Sequence, residues 1–250
     1  MISYKIKVFS ILLSILPGLA ACRTHVGPVA EIPEKGPVAV IFDAKKYEDL
    51  SDKAGRVFWV DSESSTVHIF LWRGGPMASK GHNHVLAVRN MSGAVYLPED
   101  LLSDEARFDI VFPVKEIAVD PLPLREEIGG AFTGTGMTEK GARDTRKNML
   151  GEKALDADRF PLIGISSDKF YGEPPKLVID TAVTLHGIQR RRLIPITFRV
   201  EKGRLTARGA FAIRQTDFGI EPFSAMGGAL YLLDPLMVEF EIIAMTPQAS

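Results

Sequence analysis

The chain has 250 residues, a formal net charge of −1 and a single cysteine. Such a charge offers no surplus of cations to a phosphate backbone, which excludes nucleic acid as an expected partner, and one cysteine forms no internal disulfide. The length is enough for one all-β domain with a sizeable core.

Residues 1–21 read as an export signal, with Lys5 and Lys7 ahead of the apolar run Val8–Leu16. That run is shorter than the ~20 residues a membrane-spanning helix needs, so it predicts no transmembrane anchor. The ending Leu19-Ala-Ala-Cys22 resembles a bacterial lipobox and makes Cys22 the expected acylation site. An ordinary signal peptide cut after Ala21 is the alternative. Arg23, in place of the Asp that retains such lipoproteins in the inner membrane, points to the outer membrane facing the periplasm. Loss of Lys5 and Lys7 with the signal makes the mature chain more acidic by two charges.

Residues 22–55, rich in Pro, Gly, Glu and Lys, read as a tether. Within it, Val38-Ala-Val-Ile-Phe42 is apolar enough for a short strand docked on the domain. The domain is expected over 56–246, with 247–250 as a tail. Strand candidates follow at 65–73, 85–97, 106–114, 162–170, 176–187, 193–200, 205–215 and 236–244. Most alternate with the two-residue period of a half-buried strand: Phe108, Ile110 and Phe112 share one face, as do Val238, Phe240 and Ile242. Eight such strands suit a closed antiparallel barrel able to hold one ligand. One short helix is predicted over Thr138–Leu150, capped by Thr138 and stopped by Gly151. It either covers a barrel mouth or is a solvated connector. Arg143, Arg146 and Lys147 on it are candidates to meet an anionic head group, and Arg190-Arg-Arg192 reads as a basic tight turn.

Hydrolase, zinc-protease and C-x-x-C motifs are missing, and Gly134-Thr-Gly136 lacks the spacing of a dinucleotide loop. With its cysteine assigned to lipid, the chain has no thiol left for catalysis. The chain is therefore expected not to be an enzyme. One constellation carries possible chemistry: His82 and His84, two apart on an extended segment, would point the same way and suit a shared metal ion. Flanking Met77 and Met91 would favour copper, and a carboxylate zinc, with His68 or His186 as candidate third ligands. In the other reading Gly81 simply permits a turn whose histidines hydrogen-bond.

Two stretches carry a resemblance: Asp180-Thr-Ala-Val-Thr-Leu-His-Gly187, and Gly209-Ala-Phe-Ala-Ile-Arg-Gln-Thr-Asp-Phe-Gly-Ile220. With the opening Phe58-Trp-Val-Asp61 and the strand entry Phe160-Pro161, they resemble the YceI-like family. The resemblance implies an elongated, lipocalin-like antiparallel barrel that holds a polyisoprenoid chain and has no established catalysis. The expected lining is then Phe108, Phe112, Val183, Leu185, Phe211, Val238 and Phe240. A metal-binding envelope protein built on His82 and His84 is the runner-up, and a lipoprotein whose side chains fill its own barrel is the third reading.

Overall fold

In the computed structural model, residues 36–51, 53–101, 103–133 and 136–247 are described. The expected signal segment, Cys22 and residues 248–250 of the tail lie outside them. The strands are β1 (Gly55–Val60), β2 (Thr66–Leu71), β3 (Arg73–Gly74), β4 (His84–Ala87), β5 (Ser92–Pro98), β6 (Arg107–Pro113) and β7 (Ala118–Val119). After the helices come β8 (Leu162–Glu173), β9 (Lys176–Leu185), β10 (Ile188–Glu201), β11 (Arg204–Arg214), β12 (Ser224–Ala225), β13 (Leu230–Leu232) and β14 (Pro235–Met245). The α-helices are α1 (Lys45–Glu48), α2 (Leu122–Ile128) and α3 (Glu139–Leu150).

The expected all-β architecture is present as an eight-stranded antiparallel barrel, in the order β1-β5-β6-β8-β9-β10-β11-β14. It closes where β14 returns to β1, pairing Met245 with Trp59 and Ala244 with Val60. The same edge of β14 pairs with β2 from Met237 to Glu241, and β4 and β7 follow from β2 beyond the closure. A small second sheet has the order β12-β13-β3.

The long strands are joined by two-residue turns whose sequences supply the backbone they need. His186 and Gly187 have φ of 52° and 71°, and Lys202 and Gly203 have 48° and 77°. Positive φ at both central positions is the turn type whose twist matches that of the flanking strands. The Leu-His-Gly stretch is therefore a hairpin corner, with Phe160 packed edge-on to His186 at 5.0 Å between ring centroids.

Several expected boundaries move. The candidate strand 85–97 divides into β4 and β5, and the break contains Asn90 at a left-handed φ of 55°. Arg190, Arg191 and Arg192 lie in β10, paired opposite Val183, Ala182 and Thr181, not in a turn. There Arg191 forms ion pairs with Asp180 and Asp168, and Arg192 with Asp217. β1 belongs to the barrel, whereas β2 and β4 extend the sheet past it. Helices α1 and α2 join the single expected helix.

Ahead of residue 56, the expected start of the barrel domain, the chain already packs on it. The Val38 amide donates to the Gly187 carbonyl at 2.8 Å. Tyr47 of α1 is fully buried against Phe42 and Trp59, and its hydroxyl donates to Asp109 Oδ2 at 2.8 Å. Burial, then the Asp109 charge, pushes the Tyr47 phenol up, so it stays protonated as a donor.

A Cβ at Gly187 would run into the Phe160 ring, whereas Gly227, at φ 64° and ψ 29°, faces open space. Gly227→Ala is expected to cost only the left-handed backbone term, about 1–2 kcal/mol. Gly187→Ala adds overpacking of about 1–3 kcal/mol. Urea unfolding of the two variants checks the ordering, and equal losses would contradict it.

Candidate functional site

The inward faces of the strands do not meet across the barrel. They enclose a cavity of about 650 Å³, lined mainly by aliphatic and aromatic side chains. This lies within the range of about 300–1,000 Å³ usual for small-molecule sites, so the barrel is not filled by its own side chains. Phe108 and Phe112 of β6, Val183 and Leu185 of β9, Phe211 of β11, and Val238 and Phe240 of β14 all stand on its wall. Alternation puts them there, since every second residue of a closed barrel points inward. Phe211 and Phe240 meet edge-to-face across neighbouring strands, with centroids 6.3 Å apart.

At one end the wall is completed by the last turns of α3 and by residues 220–224. Thr138 caps α3 by accepting from the Gly141 amide at 3.1 Å. From there the helix carries Thr145, Asn148 and Met149 to the cavity rim, followed by Ala154 and Leu155. The helix is thus part of the mouth, not a solvated connector. Of its basic residues, Lys147 reaches the rim, whereas Arg143 pairs with Glu139 and Arg146 donates to the Lys115 carbonyl.

Near this end a polar cluster is set into the wall. Asp120 is 2% exposed and Arg125, from α2, 3%. One Asp120 carboxylate oxygen pairs with Arg125 Nη1 and accepts from the Val85 amide at 3.0 Å. The other lies 2.6 Å from His84 Nδ1. Arg125 Nη1 also donates to the Asn83 carbonyl at 2.8 Å, tying α2 to the start of β4. Burial pushes the Asp120 carboxyl up, but the hydrogen bonds from His84 and Val85 and the Arg125 charge outweigh it and hold it below the usual carboxylate range. His84 is also the one member of this cluster on the cavity wall.

His82 lies in the loop before β4, so the same-face argument of a continuous strand does not reach it. Its Nδ1 is buried without a partner, and burial, with the nearby His84 and Arg125, pushes its pKa down. Among the described residues no group of three or more His, Cys, Asp or Glu is arranged to hold a metal ion. Of the supporting residues, Met91 is in the core, His68 packs edge-on to Phe70, and His186 Nδ1 bonds the Phe218 carbonyl at 3.0 Å. A metal centre on His82 and His84 is not favoured.

Residues 58–244 match the YceI-like domain. The chain belongs to the YceI-like family. Among solved structures, BcnA of Burkholderia cenocepacia is similar at 14% identity and a TM-score of 0.54, covering 74% of this chain and 99% of that one. A YceI protein of Campylobacter jejuni aligns at 12% identity and a TM-score of 0.43, covering 66% and 85%. At such identities BcnA shares the fold, and nothing about its ligand transfers. No match was found among curated proteins.

The YceI-like match spans both the cavity wall and the polar cluster. Asp120 and Arg125 are the residues that sequence reasoning missed. Asp120 follows a short strand at a φ of 51°, and Arg125 precedes Glu126-Glu127, which reads as a solvated helix face. No spacing rule joins them to His84.

Removing one partner of a buried pair strands the other, so Asp120→Asn is expected to cost about 3–5 kcal/mol in urea unfolding at pH 7. Because the folded carboxyl is held low, its contribution is complete above the unfolded value near ~3.9 and is lost as pH falls through the folded value. The wild type should therefore lose its advantage over Asp120→Asn on acidification below about pH 4. A gap independent of pH would contradict this role.

Proposed function

We propose that the protein binds an apolar-chain lipid of isoprenoid type inside its barrel, and that acylated Cys22 holds it to the outer membrane facing the periplasm. The observation that carries the binding role is the apolar cavity through the barrel interior. Membership of the YceI-like family supports it, and the lipobox-like Leu19-Ala-Ala-Cys22 supports the anchor. The role is one of binding, without catalysis. Phe108, Phe112, Val183, Leu185, Phe211, Val238 and Phe240 are the proposed contacts to the chain.

Magnitudes set what kind of ligand suffices. Fifteen buried carbons yield roughly 12 kcal/mol gross at ~0.8 kcal/mol per methylene. Association costs about 4–15 kcal/mol, which consumes most of that gain. Useful affinity therefore needs a longer chain or a head-group contact.

Phe211 stands on the wall beside Phe240, where a carboxylate has no partner and is costly to bury against a hydrocarbon. Phe211→Asp should lose at least about tenfold in affinity for an isoprenoid alcohol such as farnesol, ~1.4 kcal/mol. Circular dichroism controls for folding, and unchanged affinity in a folded variant would contradict the reading.

Two or three acyl chains on one cysteine hold a domain firmly, whereas one holds it only marginally. Cys22→Ser should move the protein from membrane to soluble fractions and abolish fatty-acid labelling. Absence of label on the wild type would overturn the anchor.

A further inference from the structure

We propose that the hairpin of β12 and β13, residues 222–233, is a membrane-docking element that lays its apolar side chains into the surface of a phospholipid bilayer and presents the cavity mouth to it. This does not depend on which molecule fills the cavity, and it rests on the anchor reading only for the course of the tether.

The first ground is composition at the surface. Between Glu221 and Asp234 the chain carries no charged residue. Ten large apolar side chains are exposed among the described residues, and four of them, Phe223, Met226, Tyr231 and Leu233, fall in this stretch. A fifth, Met77, is tied to it, its amide donating to the Ala229 carbonyl at 2.9 Å. Single exposed apolar residues are ordinary, whereas a cluster of them marks an interaction surface. By contrast, Tyr171, Val178 and Leu193 on the outer barrel face surround the Arg191–Asp180 ion pair, so that patch is broken by charge.

The second ground is shape. Phe223 lies opposite Leu232, whose amide donates to the Phe223 carbonyl at 2.9 Å, and both line the cavity at its mouth. Tyr231 and Leu233 alternate to the other face, where both lie over Gly74, at which a Cβ would collide with them. The hairpin thus carries apolar side chains on both faces, and at its turn Gly227 and Gly228, next to Met226, meet only open space. A rigid protein partner meets one face, and a stable dimer buries about 20–30 residues a side, far more than five side chains. A fluid apolar medium surrounds both faces of the tip, and a tyrosine, with apolar ring and polar end, suits the bilayer interface.

The third ground is position. Where the hairpin begins, the Glu221 amide donates to the Lys153 carbonyl at 3.0 Å, just past the end of α3. Shortly before it, the Phe218 carbonyl bonds His186 Nδ1 in the β9–β10 turn at 3.0 Å, and Gly187 of that turn accepts from the Val38 amide. The segment ahead of the barrel therefore meets it at the same end as the hairpin. Cys22 precedes Gly36, the first described residue, by 14 residues, a reach of at most about 50 Å. Acyl anchor and hairpin then act on one membrane, and a ligand passing between cavity and bilayer need not cross water.

The test uses Cys22→Ser protein from the soluble fraction and phosphatidylcholine vesicles, so that neither acyl chains nor net lipid charge contributes. The protein should float with the vesicles, and added salt should leave the bound fraction unchanged, since screening acts on charges and not on apolar burial. Met226→Asp should weaken partitioning at least about tenfold, whereas Leu193→Asp, a comparably exposed site on the outer barrel face, should leave it unchanged. Asp tolerates the left-handed backbone of Met226, at φ 53°, and urea midpoints check that both variants fold. A polarity-sensitive dye on Met226→Cys, the only thiol in that background, should shift to the blue on vesicles and be quenched from within the lipid, whereas on Leu193→Cys it should stay as in water. Absence of flotation, release by salt, equal flotation of Met226→Asp, or a water-like dye at position 226 would overturn the docking role. A dimer that Met226→Asp dissociates, with no vesicle binding, would overturn it in favour of a second copy. Farnesol binding in solution tests the cavity separately: its absence would fail the lipid-binding reading and leave docking standing.

Discussion

Closure by the C-terminal strand is the constraint on which the rest depends. β14 pairs with β11 from Pro235 to Met245, and its other edge is divided between β2 and β1. Without the short β1 contact the sheet would have two open edges, each a row of unpaired backbone groups. With it, every inward residue of eight strands faces every other across an enclosed space. The alternation that reads in one strand as a half-buried face becomes, after closure, the wall of a cavity. One helix and one loop then complete the wall at the open end.

An apolar wall of this kind tolerates polar atoms only when they are satisfied, which makes the Asp120 cluster informative. Its geometry distributes one carboxylate among an arginine, a backbone amide and an imidazole. Apolar residues in place of both Asp120 and Arg125 would cost less desolvation, so stability alone does not account for the pair. What apolar residues would not do is hold the imidazole of His84 through Nδ1. The cluster therefore ties the fold together beside the mouth: α2 is anchored through Arg125 to the start of β4, and Asp120 holds the His84 ring on the cavity wall.

The barrel and its lining were legible in the sequence because both follow from a period of two. Phe108, Phe112, Val183, Leu185, Phe211, Val238 and Phe240 occupy alternate positions of their strands, and closure places all seven on one wall. Features that break the period were not legible. Asn90 takes a left-handed backbone inside an apolar run, so β4 and β5 read as one strand. The arginines 190–192 look like a turn by charge, yet each finds an acceptor, and the strand continues through them. Tyr47 lies in a segment whose composition resembles a tether, and only its partners, Trp59 and Asp109, reveal it as an anchor. His82 and His84 invited a metal by spacing, but the carboxylate that claims His84 comes from 36 residues away. Long-range polar pairing leaves no periodic trace.

The central claim is that the barrel interior holds an apolar chain, and the mass of the undenatured protein tests it most directly. Cys22→Ser protein, purified from its own envelope without detergent, should show by native mass spectrometry an excess matching one isoprenoid-type lipid, lost on denaturation. A native mass equal to that of the bare polypeptide, reproduced across preparations, would contradict the account.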